Sequence, residues 1–261
     1  MGLSTVMQTA LTGMNAATTI VEVSANNIAN YQTPGFKASD VHLATLAPRG
    51  SGVQVAGYDV DFSQGPIRTG DELPLLALEG EGFFILEGND GERLFTRDGR
   101  FHLNAAGELV TFDGTRVLGF GVDAQGQVDR SQLRPLTIQL GGNLRSYSIG
   151  SSGRIVGHYS DGTNRTLGQL RLARFANPHG LEARAGNKFA TTPAAGSSIE
   201  ADPGDSGTAG IISGATELSN VDIGSELVEL TLAGNMFQAN LAVFHTADNM
   251  LTALFFPWRV R

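Results

Sequence analysis

The chain has 261 residues, 41% hydrophobic and 17% charged, with 34 glycines, no cysteine and a formal net charge of −8. That length and apolar share allow one large domain or two smaller ones with a real core, whereas the acidic balance and the scattered Lys and Arg exclude a binder of the nucleic-acid backbone. Absence of cysteine rules out disulfides, thiolate chemistry and Cys-ligated metal, and a glycine share near twice the usual ~7% points to many turns, hence to β-structure or repeats.

From the start of the chain, apolar residues recur in a 4-3 alternation at Leu3, Met7, Ala10, Met14, Ala17, Val21 and Ile28, with Ser24 in the remaining place. This is coiled-coil spacing and predicts a helix. Pro34 disfavours the α region at Thr33 and Gly35 permits a turn, so the helix is expected to stop near residue 31. Asn26, Asn27 and Asn30 crowd its end within the stretch SANNIANYQTPGFKASD. The first 21 residues carry no side-chain charge, yet Ser, Thr, Gln and Asn interrupt them too often for a membrane span or a signal-peptide core. Val6 stands where a myristoylation signal requires Ser or Thr.

Residues 38–70, with Pro48, Gly50, Gly52, Gly57 and Gly65, read as an extended arm or loosely hairpinned connector after an assembly helix at 1–37. Over 71–200 the pattern is that of an antiparallel β-domain. Asp-Gly pairs at 90, 98, 113 and 161 flank short runs such as GFFILEG, RFHLN and ELVTF, and Leu170, Leu172 and Phe175 alternate. Residues 193–218 read as a Gly/Ser/Pro-rich return strand or linker, with 201–218 as the return linker between the β-domain and the last helix.

The segment 219–261 is read as a second assembly helix with a tail. Ser219-x-x-Asp222 has capping-box spacing. The 4-3 rule then runs through Ile223, Leu227, Leu230, Gly234, Phe237, Leu241, Phe244, Asp248, Leu251 and Phe255 up to Pro257, with Gly234 and Asp248 as exceptions. A second row, Leu232, Met236, Ala239, Val243, Thr246, Met250 and Ala253, lies about 140° round the helix. Two apolar faces need two sets of neighbours, so the ends are expected to be poorly ordered in a free monomer and to fold on assembly.

Catalytic and metal readings fail on missing parts. Gly204-Asp205-Ser206-Gly207 spells the surroundings of a serine-protease nucleophile, but Thr208 replaces the next glycine and His245 falls in a predicted helix. In DAQGQVD the twelfth position of a calcium loop is Arg134, GEGFF lacks the third glycine of a dinucleotide fingerprint, and the histidines at 42, 102, 158, 179 and 245 show no ligand spacing. Asn164-Arg165-Thr166 is a sequon that matters only in a glycosylating pathway. No enzyme, cofactor or small-molecule substrate is expected.

The chain resembles the bacterial flagellar rod and hook axial proteins. SANNIANYQTPGFK is similar to that family's N-terminal motif through Asn26, Asn27, Ile28, Ala29, Asn30, Thr33, Gly35, Phe36 and Lys37. LEGEGFFIL, LFTRDGRFHLNAAGELVTFDG and LARFANPHGLEARAGNKFATT resemble its central β-domain signatures. The C-terminal motif is matched through Ser219, Asn220, Val221, Asp222, Glu226, Leu227, Gln238, Ala239, Asn240, Thr246, Ala247, Asp248 and Leu251.

This resemblance implies an α+β fold in which long terminal helices pair in a coiled-coil-like inner layer around an export channel, with a central antiparallel β-domain outside. It implies a helical homopolymer that contacts neighbouring rod or hook proteins in the basal body or hook. It also implies passage through the flagellar type III export apparatus without a cleaved signal. Within the 4-3 register Asn27 borders the seam, where a buried amide fixes register. Gly234-Asn235 replaces the family's Gln-Arg, Pro74 stands where Asp is common, and FFPWRVR extends past the usual ending. Length favours a distal-rod-like member, since hook proteins carry an additional outer domain, although GRIVGHYSDGTNRTLGQLRLARF looks at least as hook-like.

Overall fold

The computed structural model describes residues 2–47, 51–70, 75–88, 90–138, 143–205 and 207–255. Pro48, Gly50, Pro74, Ser206 and the tail beyond Phe255 lie outside the described residues. The fold is α+β, with helix α1 (Leu3–Ala29), helix α2 (Ile223–Phe255) and an antiparallel β-rich middle. The chain divides into two compact units and passes between them four times. Unit 1 comprises Met1–Tyr31, Lys37–Asp61 and Val221–Arg261; unit 2 comprises Gln32–Phe36 and Phe62–Asn220.

Unit 1 contains α1, α2 and the hairpin of β1 (Ser39–Thr45) with β2 (Val53–Val60), whose ladder has a bulge between His42 and Leu43. Of the segment 38–70, read as an extended arm or loosely hairpinned connector, residues 39–45 and 53–60 thus form an antiparallel hairpin within unit 1. It is pinned to α1 at both ends: Ser39 N–H donates to Asn27 Oδ1 at 3.0 Å, and Val53 N–H to Thr12 Oγ1 at 3.2 Å. Asn27 and Thr12 are about 22 Å apart along a helix, and a seven-residue strand such as β1 spans about 23 Å. The lengths match, so the hairpin lies along the helix between the two pins. A two-stranded ribbon is marginal by itself, and α1 supplies its support.

Unit 2 is built on a mainly antiparallel sheet running in the order Leu144–Ile149, Arg154–Tyr159, Asn164–Leu170, Arg116–Phe120, Phe83–Glu87, Arg93–Thr96, Lys188–Ala190 and Glu182–Arg184. Its core gathers Leu76, Leu78, Phe84, Leu86, Phe101, Leu109, Val117, Leu136, Ile155, Leu170 and Leu172, all buried. Phe84 meets Phe101 edge-to-face at 5.0 Å, the geometry that ring quadrupoles favour. The return segment is not a bare linker: Gly210–Ser213 pairs with Leu76–Glu79, and Ala215–Glu217 with Ile67–Thr69.

Among the Asp-Gly pairs, those at 90, 113 and 161 sit in hairpin turns, closed by Gly91 N–H to Gly88 O, Gly114 N–H to Thr111 O and Gly162 N–H to Tyr159 O. The pair at 98 does not. Arg93–Thr96 and Phe101–Leu103 take different partners, and a β-carbon on Gly99 would lie 1.9 Å from the Leu76 carbonyl oxygen. The glycine there permits backbones to touch, a use of the residue that the dipeptide alone does not distinguish from a turn.

Truncating Phe84 to Ala should cost about 3–5 kcal/mol through transfer and cavity terms, whereas Phe112→Ala, at a side chain 74% exposed, should cost under about 1 kcal/mol. Urea unfolding of the two variants against the parent, followed by Trp-independent far-UV dichroism, measures the difference.

Candidate assembly interface

The three asparagines at the end of α1 have three roles. Asn26 is exposed. Asn30 closes the helix: its backbone N–H donates to the Asn26 and Asn27 carbonyls, each at 3.1 Å, and its Nδ2 donates to Asn26 O at 3.0 Å. Asn27 is buried, with 1% of its surface exposed. Its Nδ2 donates to Glu226 Oε1 at 2.8 Å and to Ser39 O at 2.9 Å, while Oδ1 accepts from Ser39 N–H. One carboxamide thus joins α1, β1 and the first turn of α2. Its bond does cross between two helices, and both belong to the same chain.

The α2 N-terminus is capped by Asp222 and not by the Ser219-x-x-Asp222 box that the spacing suggested. Asp222 Oδ2 accepts from Ser225 N–H at 3.3 Å and from Ser225 Oγ at 2.7 Å, and Oδ1 accepts from Gly224 N–H at 3.2 Å. These bonds hold the Asp222 carboxyl below its ordinary range. Ser219 falls three residues before the cap, in unit 2. In that unit Asn220 donates through Nδ2 to Ser63 O and Oγ, Gly35 N–H donates to Glu217 O at 2.8 Å, and half-buried Phe36 donates N–H to Thr33 O.

The two helices run antiparallel in a fixed register. Going back fourteen residues from Asn27 along α1 reaches Gly13, and going forward fourteen from Glu226 along α2 reaches Asn240; a β-carbon at Gly13 would lie 2.6 Å from Asn240 Oδ1. Buried on α1 are Ala10, Gly13, Met14, Ala16, Ala17, Ser24 and Asn27, and on α2 only Glu226, Ala233 and Ala247. Small residues bring the helix axes close. Of the seam positions expected from the 4-3 rule, Leu230, Leu241, Phe244 and Leu251 on α2 and Leu3, Met7 and Ile28 on α1 are half-buried, and Met14 is buried.

Val21, Leu227, Gln238 and Asp248 are exposed, as is Phe237 at 39%. Glu226, Ala233 and Ala247 are the buried positions of α2 and Asn240 meets Gly13, each one residue before a position of the 4-3 row, while Leu230, Leu241, Phe244 and Leu251 of that row flank them half-buried. Small residues at these positions permit the close approach at Gly13. The signal that finds the actual seam is the heptad of small and polar residues Glu226, Ala233, Asn240 and Ala247.

Large apolar side chains are exposed along the length of α2, among polar ones such as Thr231, Gln238, His245 and Asn249. Leu227, Val228, Leu232, Val243, Met250 and Leu254 are between 46% and 68% exposed, and a groove of about 360 Å³ opens between Leu3 and Val6 of α1 and Ala242, Val243, Thr246 and Met250 of α2. In unit 2 the sequence reading missed a buried ion pair. Arg97 and Glu217, 3% and 1% exposed, approach to 3.5 Å. Arg97 also donates to the Gly80 and Gly82 carbonyls, and Glu217 Oε1 accepts from Gly65 N–H. Burial pushes the Arg97 pKa down and Glu217 opposes that shift. Among the described residues no group of three His, Cys, Asp or Glu side chains could hold a metal ion, and no helix is long and apolar enough to cross a membrane.

Two antiparallel end helices locked at one base, with a β-unit threaded between them in sequence and an apolar surface facing outward, define a structural module. Comparison with known proteins specifies it. Residues 7–37 match the flagella basal body rod protein model, 77–157 the flagellar hook protein FlgE/F/G D1 domain, and 212–255 the flagellar basal body rod FlgEFG protein C-terminal model. The chain is 32% identical to the flagellar basal-body rod protein FlgG of Bacillus subtilis, covering 94% of this chain and 95% of that one. It is 35% identical to FlgG of Caulobacter vibrioides over 95% and 97%. Its identity to the flagellar hook protein FlgE of Salmonella typhimurium is 24%, over 94% and 98%. The chain belongs to the flagellar rod and hook protein family and is a structural rod or hook subunit of the bacterial flagellum.

Asn27→Ala should cost about 1–3 kcal/mol for the stranded Ser39 amide and more for the stranded Glu226 carboxylate, whereas exposed Asn26→Ala should stay within about 0.5 kcal/mol. Hydrogen exchange of the first turns of α2 reads the contrast.

Proposed function

We propose that this chain is a distal-rod-type subunit that polymerises helically into a hollow axial tube, with α1 and α2 in the inner layer and the β-unit outside. The observation that carries this reading is α2 itself, which has 33 residues and exposes its large apolar side chains while burying Glu226, Ala233 and Ala247. A soluble monomer gains nothing from such a surface, and apolar patches of this kind mark interaction sites. Higher identity to rod proteins than to a hook protein over the full chain supports the rod assignment. In the polymer the exposed predicted-seam residues Val21, Leu227, Phe237, Gln238 and Asp248 contact neighbouring subunits. Repetition of such head-to-tail contacts without closure generates a tube. Partners are other copies and adjoining rod or hook proteins, reached after export through the flagellar type III apparatus.

Leu232→Asp and Val228→Asp place charge on outward positions 63% and 60% exposed. Each should leave the unfolding free energy of the monomer within about 0.5 kcal/mol and abolish polymer formation and motility in cells that carry it as their sole copy. Sedimentation at rising concentration checks the first property and swimming the second; polymers of normal yield would refute the assignment of this face.

Folding of the ends on assembly is part of the proposal. Limited proteolysis of dilute protein should leave a fragment near residues 40–215 and spare both ends once copies associate. Full resistance of a non-associating monomer would transfer the chain to an accessory role.

A further inference from the structure

The junction that joins α1, β1 and α2 contains more carboxylate than its donors satisfy. Glu226 is 7% exposed. Its Oε1 accepts from Asn27, but Oε2 is buried without a hydrogen-bond partner among the described residues. An asparagine amide has two N–H bonds to give, and both of Asn27's are committed, to Glu226 Oε1 and Ser39 O. One turn further along α2, on the same face, stands half-buried Glu229. The groups acting on it are Glu226 from its own helix, Asp40 from β1 and the neutral Ser24 hydroxyl from α1, which donates to it. No cation is among them.

We propose that Glu229 takes up a proton in the folded chain, beside the buried and unpartnered Oε2 of Glu226, and that this proton tightens the pairing of α1 with α2, making the junction acid-stabilised. Neutralising Glu229 removes a like-charge contact in a desolvated corner and supplies an O–H donor next to an Oε2 that lacks one. Burial first, then Glu226 and Asp40, push the Glu229 carboxyl up, against the Ser24 bond. A carboxyl raised above its unfolded value binds protons more tightly when folded. Its contribution is therefore fully present below the unfolded pKa and is lost as pH rises through the folded one, which is opposite to the usual acid sensitivity of paired carboxylates. The inference concerns α1 paired with α2, so it is tested at a protein concentration at which both ends resist proteolysis.

The test is thermal unfolding of the full chain, followed by helical dichroism, at about pH 5 and about pH 8 for the parent, Glu229→Gln, Glu226→Gln and the remote control Glu182→Gln. Glutamine at 226 retains the oxygen that Asn27 donates to and brings its own N–H. Glu229→Gln should melt higher than the parent at the upper pH, by on the order of 2–4 °C, and show a smaller change between the two pH values. Glu182→Gln should retain the parent's pH response. If Glu229→Gln retains the full parental response, or melts lower at both pH values, the proposal is overturned. If Glu226→Gln does not fold, Glu229→Gln decides alone.

Discussion

The position of the Asn27 carboxamide is the constraint on which the helical unit depends. It meets three groups from segments 12 and 199 residues away, and each of those groups would be stranded if the helices moved. A slip of one residue shifts a helix by 1.5 Å and turns its contacts by 100°, which a hydrogen bond of 2.8 Å cannot follow. Register set at this base then propagates. Fourteen residues make almost four whole turns, so the face that presents Asn27 and Glu226 presents Gly13 and Asn240 as well. The same antiparallel pairing brings Leu3 beside Met250 at the groove. A polar contact at one end decides which apolar residues meet at the other.

Such an arrangement separates specificity from adhesion. Burying a carboxylate and an amide stabilises little in net terms, because their desolvation offsets most of the gain. A misaligned pair, by contrast, would leave both groups unpaired at full cost. The apolar contacts between α1 and α2 are mostly alanine and glycine, which contribute little burial and tolerate several registers. Polar residues choose among those registers and small ones accept the choice. In the β-unit, Glu217 and Arg97 play a comparable part, tying the return strand to the loops at Gly65 and Gly80 while the aromatic core supplies the stabilisation.

Legibility in the sequence followed the physics of each signal. The existence of both helices, the β-rich middle and three of the turns could be read because period, Pro-Gly breakers and Asp-Gly turns act locally. The Gly99 contact could not, since it depends on a strand more than twenty residues away. On α2 the 4-3 row lies one residue after the buried Glu226, Ala233 and Ala247, because the rule weights large apolar residues while the close approach at Gly13 favours small ones. Asn27 was singled out from its register, but its partners Ser39 and Glu226 were not. A buried Glu in a helix reads as a solvated one until its surroundings are seen.

This inversion of the ordinary pattern bears on assembly. In a monomer the largest apolar side chains of a helix go inward, because burial there returns about 25 cal/mol per Å² and exposure returns nothing. Here the fully buried positions are Glu226, Ala233 and Ala247, with Leu230, Leu241, Phe244 and Leu251 only half-buried, and Leu232, Val243, Met250 and Leu254 are exposed. A large part of the apolar surface of α2 is therefore left uncovered by its own chain. A subunit built this way has a register specified by its own residues and an adhesive surface completed only by a neighbour, and a net charge of −8 opposes premature contact between free copies at long range. Association then depends on local fit, where the outward apolar rows overcome a repulsion that salt screens within about 10 Å.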